Sequence, residues 1–415
     1  MLAAPPRITP IFYYAGQPLC RTDRPFRLVE HRTVFYKLLF RLFLQRIEPE
    51  RAHALAVAAL RTATAVPGVM WLMRRLLRPS DTALRVHAFG LTFDSPLGVA
   101  AGMDKDGTWF ESLGALGFGF VEVGTITAGP QDGNPGRRVW RLTRDRALLN
   151  SMGFPNPGAD AAAAKLRAHG RRTLVGVNIG KSMDVPTEHA GPDYAVVASK
   201  LATLCDYMVL NVSSPNTPRL REMQSVKALR SLVSDVRAAI ESVDPKPPLL
   251  VKIAPDLTDS QIDDIADLAL EIQLDGIVAV NTTIQRAGLV SADPSALAEG
   301  GISGPPLQTR ALDVLTRLRA RVGDRVTLIS VGGIETPDDA WERILAGATL
   351  LQAHTGFVYG GPLWPHSINM GLLKRVRRNG FPSLEAAIGA HASMPAEPVS
   401  ANGNVGQAHG YCRRC

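Results

Sequence analysis

Short apolar runs alternate with amphipathic helical patterns through most of the chain. The runs are nearly continuous in apolar residues, as expected of parallel strands covered on both faces. Helix start signals fill the intervals: Thr258 and Gln261 have capping-box spacing, and Thr336 precedes Pro337 at a first helical position. Eight runs qualify as strands, at residues 97–102, 120–127, 173–180, 207–213, 248–255, 276–283, 327–334 and 350–357. This order predicts an α/β fold, a (β/α)8 TIM barrel, with an open doubly wound sheet as the alternative.

The flanking regions have different patterns. Residues 84–96 alternate around Phe89 and Gly90 and predict a hairpin that closes the barrel bottom. Both chain ends are rich in small, polar, Pro or Arg residues without a sustained period, which is typical of mobile ends. The predicted division is a flexible extension at 1–33, a helical segment at 34–78, the barrel at 79–387 and a disordered tail at 388–415.

The segment 34–78 contains up to three short helices. In the first, Lys37, Arg41 and Gln45 recur every fourth residue and leave a broad apolar face that includes Leu38 and Leu42. That face either docks on the barrel or inserts into one leaflet of a membrane, as basic residues beside it suggest. No stretch reaches the roughly 18 uninterrupted apolar residues of a membrane span.

Composition narrows the classes of function. The chain is 46% hydrophobic and 20% charged, which favours a large folded core. Its formal net charge of +8 comes with no aromatic-interleaved basic stripe, so nucleic acid is not an expected partner. Four cysteines in 415 residues do not form a disulfide framework, and Cys205 is interpreted as a core residue. No secretory signal begins the sequence.

Polar and glycine residues follow almost every predicted strand. In TIM barrels the reactive groups lie at the carboxyl ends of the strands, so these residues are expected to form one polar face. The glycines at 300–304, 332–333 and 356 follow the last three strands, where bare backbone N–H groups can bind a phosphate. No G-x-G-x-x-G opens a helix after the first strand, and no histidine or carboxylate spacing indicates a metal site.

Ten motifs in order carry a specific resemblance. They are "AAGMDKDG", "EVGTIT", "NSMGFPN", "GVNIGK", "NVSSPNTPRLR", "VKIAPDL", "NTT", "GGISGPPL", "SVGGI" and "TGF". With them, residues 35–385 resemble dihydroorotate dehydrogenases of class 2, the quinone-dependent type. The resemblance implies an FMN-binding barrel that oxidises (S)-dihydroorotate to orotate in pyrimidine (UMP) biosynthesis and passes electrons to a membrane quinone.

The resemblance also implies roles for single residues. Ser214 would be the base that removes the C5 proton, with Thr217 and an ordered water as its relay and Phe154 as its shield. A serine hydroxyl is a poor base alone, which is why a relay is needed. The substrate would be bound by Lys105, Asn150, Ser151, Met152, Gly153, Phe154, Asn211, Asn216, Asn281 and Thr282. One cation among neutral amides suits a mono-anionic ring acid.

The implied cofactor site draws on almost every strand end. Lys252 would lie near the N1 and O2 edge of the flavin, where negative charge develops on reduction. The remaining contacts to FMN would come from Ala100, Ala101, Gly102, Met103, Asp104, Thr125, Asn178, Asn211, Val280, Gly304, Gly333, His354 and Thr355. His354 and Val280 depart from the family, where tyrosine and threonine are frequent, and contacts through the backbone would tolerate both changes.

Two other functions stay open at this point. One is a different FMN-dependent TIM-barrel oxidoreductase; the other is a membrane-docked barrel that binds a phosphate ligand without turnover. Because a class 2 enzyme must meet a lipid-soluble quinone, the resemblance favours membrane insertion of the helical segment. It implies a peripheral protein on the cytoplasmic side of the cell membrane, with dihydroorotate, orotate, quinone and the bilayer surface as partners.

Overall fold

The computed structural model describes residues 36, 38, 40, 42–168, 170–291 and 299–393. Eight parallel strands form a closed barrel in which each strand pairs with the next barrel strand along the chain. They are β3 (Leu97–Val99), β4 (Phe120–Ile126), β7 (Leu174–Ile179), β8 (Tyr207–Asn211), β9 (Leu249–Ile253), β10 (Gly276–Ala279), β12 (Thr327–Val331) and β13 (Leu350–Ala353). All eight predicted strands are present and the (β/α)8 barrel is confirmed, but the run 350–357 is a strand only to Ala353, since a helix begins at Thr355.

Helices surround the barrel and precede it. Each capping signal identified in the sequence is present: Thr258 and Thr336 both cap their helices with full capping boxes. The helices are α1 (Pro49–Ala65), α2 (Val69–Leu77), α3 (Phe110–Ala115), α4 (Ala159–Ala168), α5 (Ala190–Leu201), α6 (Val226–Ala239), α7 (Asp259–Glu271), α8 (Gln308–Val322), α9 (Pro337–Leu345), α10 (Thr355–Gly360) and α11 (Trp364–Arg378). Short 3-10 turns lie at Leu44–Arg46, Thr82–Leu84, Thr187–His189, Ala202–Leu204, Leu220–Gln224, Pro305–Leu307, Glu385–Ala387 and Ala390–Ser393.

An aromatic cluster closes the amino-terminal end of the barrel. The predicted hairpin consists of β1 (Val86–Ala88) and β2 (Leu91–Phe93), paired antiparallel. Its Phe93 ring meets Phe120 edge-on at 5.2 Å, and Phe89 stacks on Tyr207 at 6.1 Å. Because this end is filled with apolar rings, a ligand can reach the barrel interior only from the opposite end.

A small antiparallel sheet stands over that opposite end. It contains β5 (Val139–Leu142), β6 (Ala147–Asn150) and β11 (Gly301–Ser303), in the order β11-β6-β5. The register places Gly301 beside Asn150. Two motifs 150 residues apart in sequence, "NSMGF" and "GGISG", are therefore neighbours at the mouth of the barrel.

The helical segment covers the same mouth. Arg138, next to β5, forms a salt bridge with Glu50 on α1 at 2.9 Å, and Arg74 on α2 pairs with the buried Glu111 of α3. A row of large apolar side chains nevertheless faces outward: Leu38, Leu42, Phe43, Leu55, Val66, Trp71, Leu72 and Leu76. Among the described helices none could cross a bilayer alone, whereas α1 and α2, bent by 105°, could do so as a pair by length and composition.

Parts of the predicted division fall outside the described residues. These are the extension 1–33, residues 394–415 of the tail, and Lys37 and Arg41 of the first helical pattern. Residues 388–393, which were assigned to the tail, remain in contact with the barrel. Ile388 packs against the core, and the N–H of Gly389 donates to the carbonyl of Ile344 at 2.9 Å. The barrel unit therefore extends beyond residue 387.

Candidate active site

A cavity of about 670 Å³ lies between the carboxyl ends of the strands and the helical segment. At one end it is lined by strand-end residues such as Thr125, Asn211 and Lys252. At the other end its walls are apolar side chains of the helical segment, including Phe40 and Leu60. A single space thus connects the polar face of the barrel with the apolar helices.

Most residues that the sequence singled out line this cavity. They are Ala100, Ala101, Gly102, Met103, Lys105, Thr125, Asn150, Met152, Gly153, Phe154, Asn211, Ser214, Asn216, Lys252, Val280, Asn281, Thr282, Gly304, Gly333, His354 and Thr355. These residues come from the ends of seven of the eight barrel strands, all but β7, and from the sheet over the mouth. Their convergence from distant parts of the chain is what a shared binding site requires.

Four predicted residues do not line it. Ser151 and Thr217 lie beside lining residues, and Asn178 lies behind Thr125 and Asn211. Asp104 is fully buried, and its carboxylate accepts the N–H groups of Thr108 and Trp109 at 3.0 and 2.9 Å. Burial raises the pKa of Asp104 to about 6. Its side chain holds the turn before α3, so any contact with a ligand would come from its backbone.

A chain of buried amides runs across the cavity floor. Asn178 accepts from the hydroxyl of Thr125 at 2.5 Å and from the amide of Asn211 at 3.1 Å. The amide of Asn281 in turn donates to Asn211 at 3.2 Å. These side chains belong to β4, β7 and β8 and the loop after β10, so strand register alone brings them together. The network fixes each amide in one orientation.

Ser214 occupies a tight loop after β8. Its Oγ accepts the N–H of Asn216 at 3.2 Å, and the Asn216 amide donates to Asn150 at 3.0 Å. The guanidinium of Arg221 secures the loop by donating to the carbonyls of Ser213 and Thr282 and pairing with Asp256. Ser214 is therefore held between a substrate-sized cavity and a rigid support.

Two buried polar atoms near Ser214 have no hydrogen-bond partner within the described part of the chain. They are Oγ1 of Thr217 and Oδ1 of Asn216. Thr217 is only 4% exposed, and leaving a hydroxyl buried without a partner costs about 1–3 kcal/mol. Such atoms indicate a place where water or a ligand completes the network.

Lys105 lies on the loop after β3, at the junction of the cavity and α1. Burial lowers the pKa of Lys105, and nearby Arg138 lowers it further while Glu50 opposes the shift. A partly desolvated ammonium gains when an anion binds beside it. Lys105 is thus suited to a carboxylate ligand.

The loops after β11, β12 and β13 meet at one edge of the cavity. Gly304 and Gly333 have φ values of +101° and +76°, where a side chain would be strained. Ser303 and Thr355 bring their hydroxyls within 2.7 Å of each other at this edge. Backbone N–H groups of these glycine loops and the two hydroxyls are candidate donors to a phosphate.

Sequence reasoning missed three groups that the structure places at the site. Glu122 and Gln352 lie inside the barrel, each fully buried in the middle of a strand. A charged or amide residue within an otherwise apolar strand was a usable signal. His53, for which no sequence motif predicts a role, also lines the cavity, 5.8 Å from the Trp109 ring centre.

Both cavity histidines are neutral over the physiological range. Burial lowers the pKa of His53 to about 4 and that of His354 to about 3, with the charge of Lys105 adding to both shifts. The interpretation of Cys205 as a core residue is confirmed, and burial raises the pKa of its thiol to about 12.

Comparisons with known proteins agree with this geometry. The family model described as dihydroorotate dehydrogenase matches residues 83–376. "Dihydroorotate dehydrogenase (quinone)" of Thermobifida fusca is 52% identical over 89% of this chain and 100% of its own length. The protein of that name from Mycobacterium bovis is 54% identical over 85% of this chain and 97% of its own.

Solved structures give the same result. The crystal structure of DHODH from Eimeria tenella in complex with ferulenol has a TM-score of 0.75 and 35% identity, over 85% of this chain and 98% of that one. The ligand-free structure of DHODH from the same organism has a TM-score of 0.73 and 37% identity, over 79% and 98%.

Proposed function

The chain belongs to the dihydroorotate dehydrogenase family, and from that premise we propose how its site oxidises (S)-dihydroorotate to orotate and passes the electrons to a quinone. The protein is a flavin-dependent oxidoreductase of pyrimidine biosynthesis. Its quinone dependence follows from relatives that share more than half of its residues over most of its length.

We propose FMN as the flavin that the cavity binds. Support comes from the cavity edge formed by Gly304, Gly333 and Thr355, where the phosphate of FMN would lie. A Cβ on Gly333 would come within 2.6 Å of Gln308, so the loop has no room for a side chain there. A loop of this kind with adjacent hydroxyls suits one phosphate group. Lys252 and Thr125 would hold the ring system, and the cavity volume is sufficient for both FMN and a small acid. When bound, FMN supplies the acceptor for the hydride that leaves C6 of the substrate.

The substrate would lie among the amides and Lys105. Asn150, Asn216 and Asn281 offer both donors and acceptors, which match the ring carbonyl and N–H groups of dihydroorotate. Lys105 would bind its carboxylate. Phe154 lines the same region and would exclude bulk water from the reacting carbon.

Ser214 would remove the proton from C5. A hydroxyl cannot keep that proton, so it must pass to a neighbour. The unpaired, buried Oγ1 of Thr217 supports a relay through Thr217 and a water molecule. The main support for the proposal is this combination of a serine held on the cavity wall and an unsatisfied hydroxyl behind it.

The quinone would enter between the helices. The apolar end of the cavity is lined by Tyr36, Phe40 and Leu44 and by residues of α1. The outward-facing row of apolar side chains on the same segment would rest in the bilayer surface, with Arg61 and Arg75 exposed beside it for anionic headgroups. We infer peripheral attachment to the cytoplasmic side of the cell membrane, without a role for nucleic acid.

One experiment tests the whole proposal. Purified protein should show a flavin spectrum that bleaches anaerobically when dihydroorotate is added and returns when a long-chain quinone follows. A flavin spectrum that dihydroorotate leaves unchanged would favour another FMN-dependent barrel oxidoreductase. Bound phosphate ligand without any redox change would favour the non-catalytic barrel.

A further inference from the structure

Glu122 is the carboxylate of the barrel interior, and nothing in the proposed chemistry uses it. It lies in the middle of β4 and is fully buried. Its Oε1 accepts from the Asn178 amide at 2.8 Å and lies 3.7 Å from the ammonium of Lys252. Its Oε2 accepts from the Gln352 amide at 2.6 Å. A charge so deeply buried is costly unless partners stabilise it, and here three of them do.

The carboxylate determines the direction of the hydrogen bonds that follow. Ionised, it can only accept, so Asn178 must point its NH₂ group at Glu122 and its oxygen at Thr125 and Asn211. Asn211 must then point its NH₂ group at Asn178 and its oxygen at Asn281. Asn211 and Asn281 line the cavity, whereas Glu122 and Asn178 lie behind its wall. The buried charge of Glu122 therefore determines which amide atoms of Asn211 and Asn281 face the cavity.

The same carboxylate balances the charge of Lys252. Lys252 is 4% exposed and lines the cavity. No other carboxylate of the described residues forms an ion pair with it. In a low-dielectric interior, a negative charge this close weakens the attraction of the lysine for negative charge developing in the cavity.

We propose that Glu122 is a positioning residue for the reaction: it orients the chain Asn178, Asn211 and Asn281 towards the substrate, and its negative charge, next to Lys252, lowers the reduction potential of the bound flavin. The inference rests on the proposed function, because it takes the cavity to hold FMN and the substrate. Glu122 itself touches neither the cavity nor its contents.

The test uses the holoenzyme with Glu122→Gln, which keeps the shape of the side chain and removes its charge. Without the carboxylate, the Lys252 charge is unopposed, so the oxidised-to-reduced flavin ratio at fixed potential should fall about tenfold, a rise of about 30 mV for a two-electron couple. The side-chain amide of glutamine can also donate a hydrogen bond. The Asn178 amide can then rotate and exchange the positions of its oxygen and its NH₂ group. The affinity of the oxidised enzyme for orotate should then fall about tenfold.

Glu111→Gln is the matched control. Glu111 is also a buried glutamate, on α3 outside the cavity, where it accepts from Arg74 and Thr173. This variant should lose stability, because it weakens a buried ion pair, but its flavin potential and orotate affinity should stay at wild-type values. Equal shifts in both variants would overturn the proposal, since loss of stability alone would then explain them.

If Glu122→Gln does not fold, a double variant still tests the proposal. Glu122→Gln with Lys252→Met removes both charges, so no unpaired charge is left buried. Its potential should lie above that of Lys252→Met alone; equal potentials would refute the proposal. If wild-type protein binds no flavin, or binds it without reduction by dihydroorotate, the proposed function fails instead.

Discussion

At the scale of single residues, the site depends on groups whose hydrogen-bonding capacity or charge is unusual for their surroundings. The Oγ of Ser214 accepts a backbone N–H, and the buried hydroxyl of Thr217 has no hydrogen-bond partner among the residues that the structure describes. Lys105 has a pKa lowered by burial. The unpaired hydroxyl and the desolvated ammonium each cost stability, and each has a use when a ligand is bound.

Replacing Ser214 by alanine should separate binding from chemistry. Ser214→Ala removes the base and leaves the phosphate loops unchanged, so FMN should remain bound while flavin reduction by dihydroorotate slows about 10²- to 10⁴-fold. Stopped-flow spectroscopy under anaerobic conditions measures the rate. Near-normal reduction would contradict the assignment of Ser214 as base.

The variant Ser214→Cys tests the same role by replacing the proposed base with a group that ionises more readily. A thiol ionises far more readily than a hydroxyl, with an ordinary pKa of about 8.5. Some activity should therefore remain, and its pH profile should shift to lower pH. An unchanged profile would argue against proton removal at this position.

Lys105 should make orotate binding sensitive to alkaline pH. Only the charged lysine attracts the carboxylate, and burial lowers the pKa of Lys105 in the free enzyme. The affinity should therefore begin to fall at a pH below the ordinary lysine value of about 10.4, as the proton is lost. Titration of flavin absorbance with orotate at several pH values measures this effect.

Lys105→Arg is the control for that titration. A guanidinium stays charged throughout the range, so this variant should bind orotate more weakly but with an affinity that does not change with pH. A wild-type affinity that stays constant up to the ordinary lysine pKa would show that Lys105 does not bind the carboxylate.

At the scale of elements, three loops build the phosphate edge, and the loop from β12 to α9 leaves no room for a side chain at Gly333. Gly333 has φ of +76°, and a Cβ there would lie 2.6 Å from Cα of Gln308, the first residue of α8. Because the obstacle is backbone, it cannot be relieved by a side-chain rotation. The close approach of α8 to this loop thus fixes its shape.

Gly333→Ala should therefore release FMN. The added methyl group must displace the loop, so the flavin content of purified protein should fall at least about tenfold while the barrel remains folded. Gly323→Ala is the control: it also has positive φ, at +59°, but no atom lies within 4 Å of its Cβ. That variant should lose about 1 kcal/mol of unfolding free energy and keep its FMN. Equal flavin loss in the two variants would refute the explanation that a methyl group at Gly333 has no room beside Gln308.

At the scale of the whole molecule, the helical segment has two faces. The inner face is joined to the barrel by Arg138 with Glu50, by Arg74 with Glu111 and by the ring of His366 at the Leu77 carbonyl. The outer face carries exposed side chains such as Trp71 and Leu76, which are 65% and 62% exposed. Deleting the segment would uncover barrel surface, so substitutions on the outer face test membrane binding more cleanly.

The triple variant Trp71→Ser, Leu72→Ser and Leu76→Ser should detach the protein from membranes. Each side chain loses about 1.5–3 kcal/mol of burial in the bilayer surface, so binding to anionic vesicles should weaken at least about a hundredfold. Flavin reduction by dihydroorotate should be unchanged, and oxidation by vesicle-bound long-chain quinone should slow. Vesicle sedimentation and the two half-reactions measure these effects.

Val196→Ser is the control for the membrane experiment. Val196 is 43% exposed on α5, an outer helix of the barrel. Its replacement should leave vesicle binding unchanged. If wild-type protein ignored anionic vesicles, or the triple variant bound them as well as wild type, the outer face would have another role.

The sequence by itself determined the strands, their caps and the identity of the site loops. Local signals were sufficient for this: apolar runs at 207–213 and 276–283, and the capping boxes of Thr258 and Thr336, depend on neighbouring residues alone. The motifs at strand ends, read in order, predicted which residues meet, because a barrel brings all carboxyl ends to one face.

Only the tertiary structure decided how the side chains are oriented and what surrounds them. The Asp104 carboxylate faces the turn before α3 instead of the cavity, Glu122 and Gln352 lie buried inside the barrel, and His53 reaches the site from α1. The Asp104 contacts are local, but those of Glu122, Gln352 and His53 join residues more than 50 positions apart in sequence. They depend on strand register and helix docking, and the charge or hydrogen bond that each residue makes is set by partners that only folding brings near.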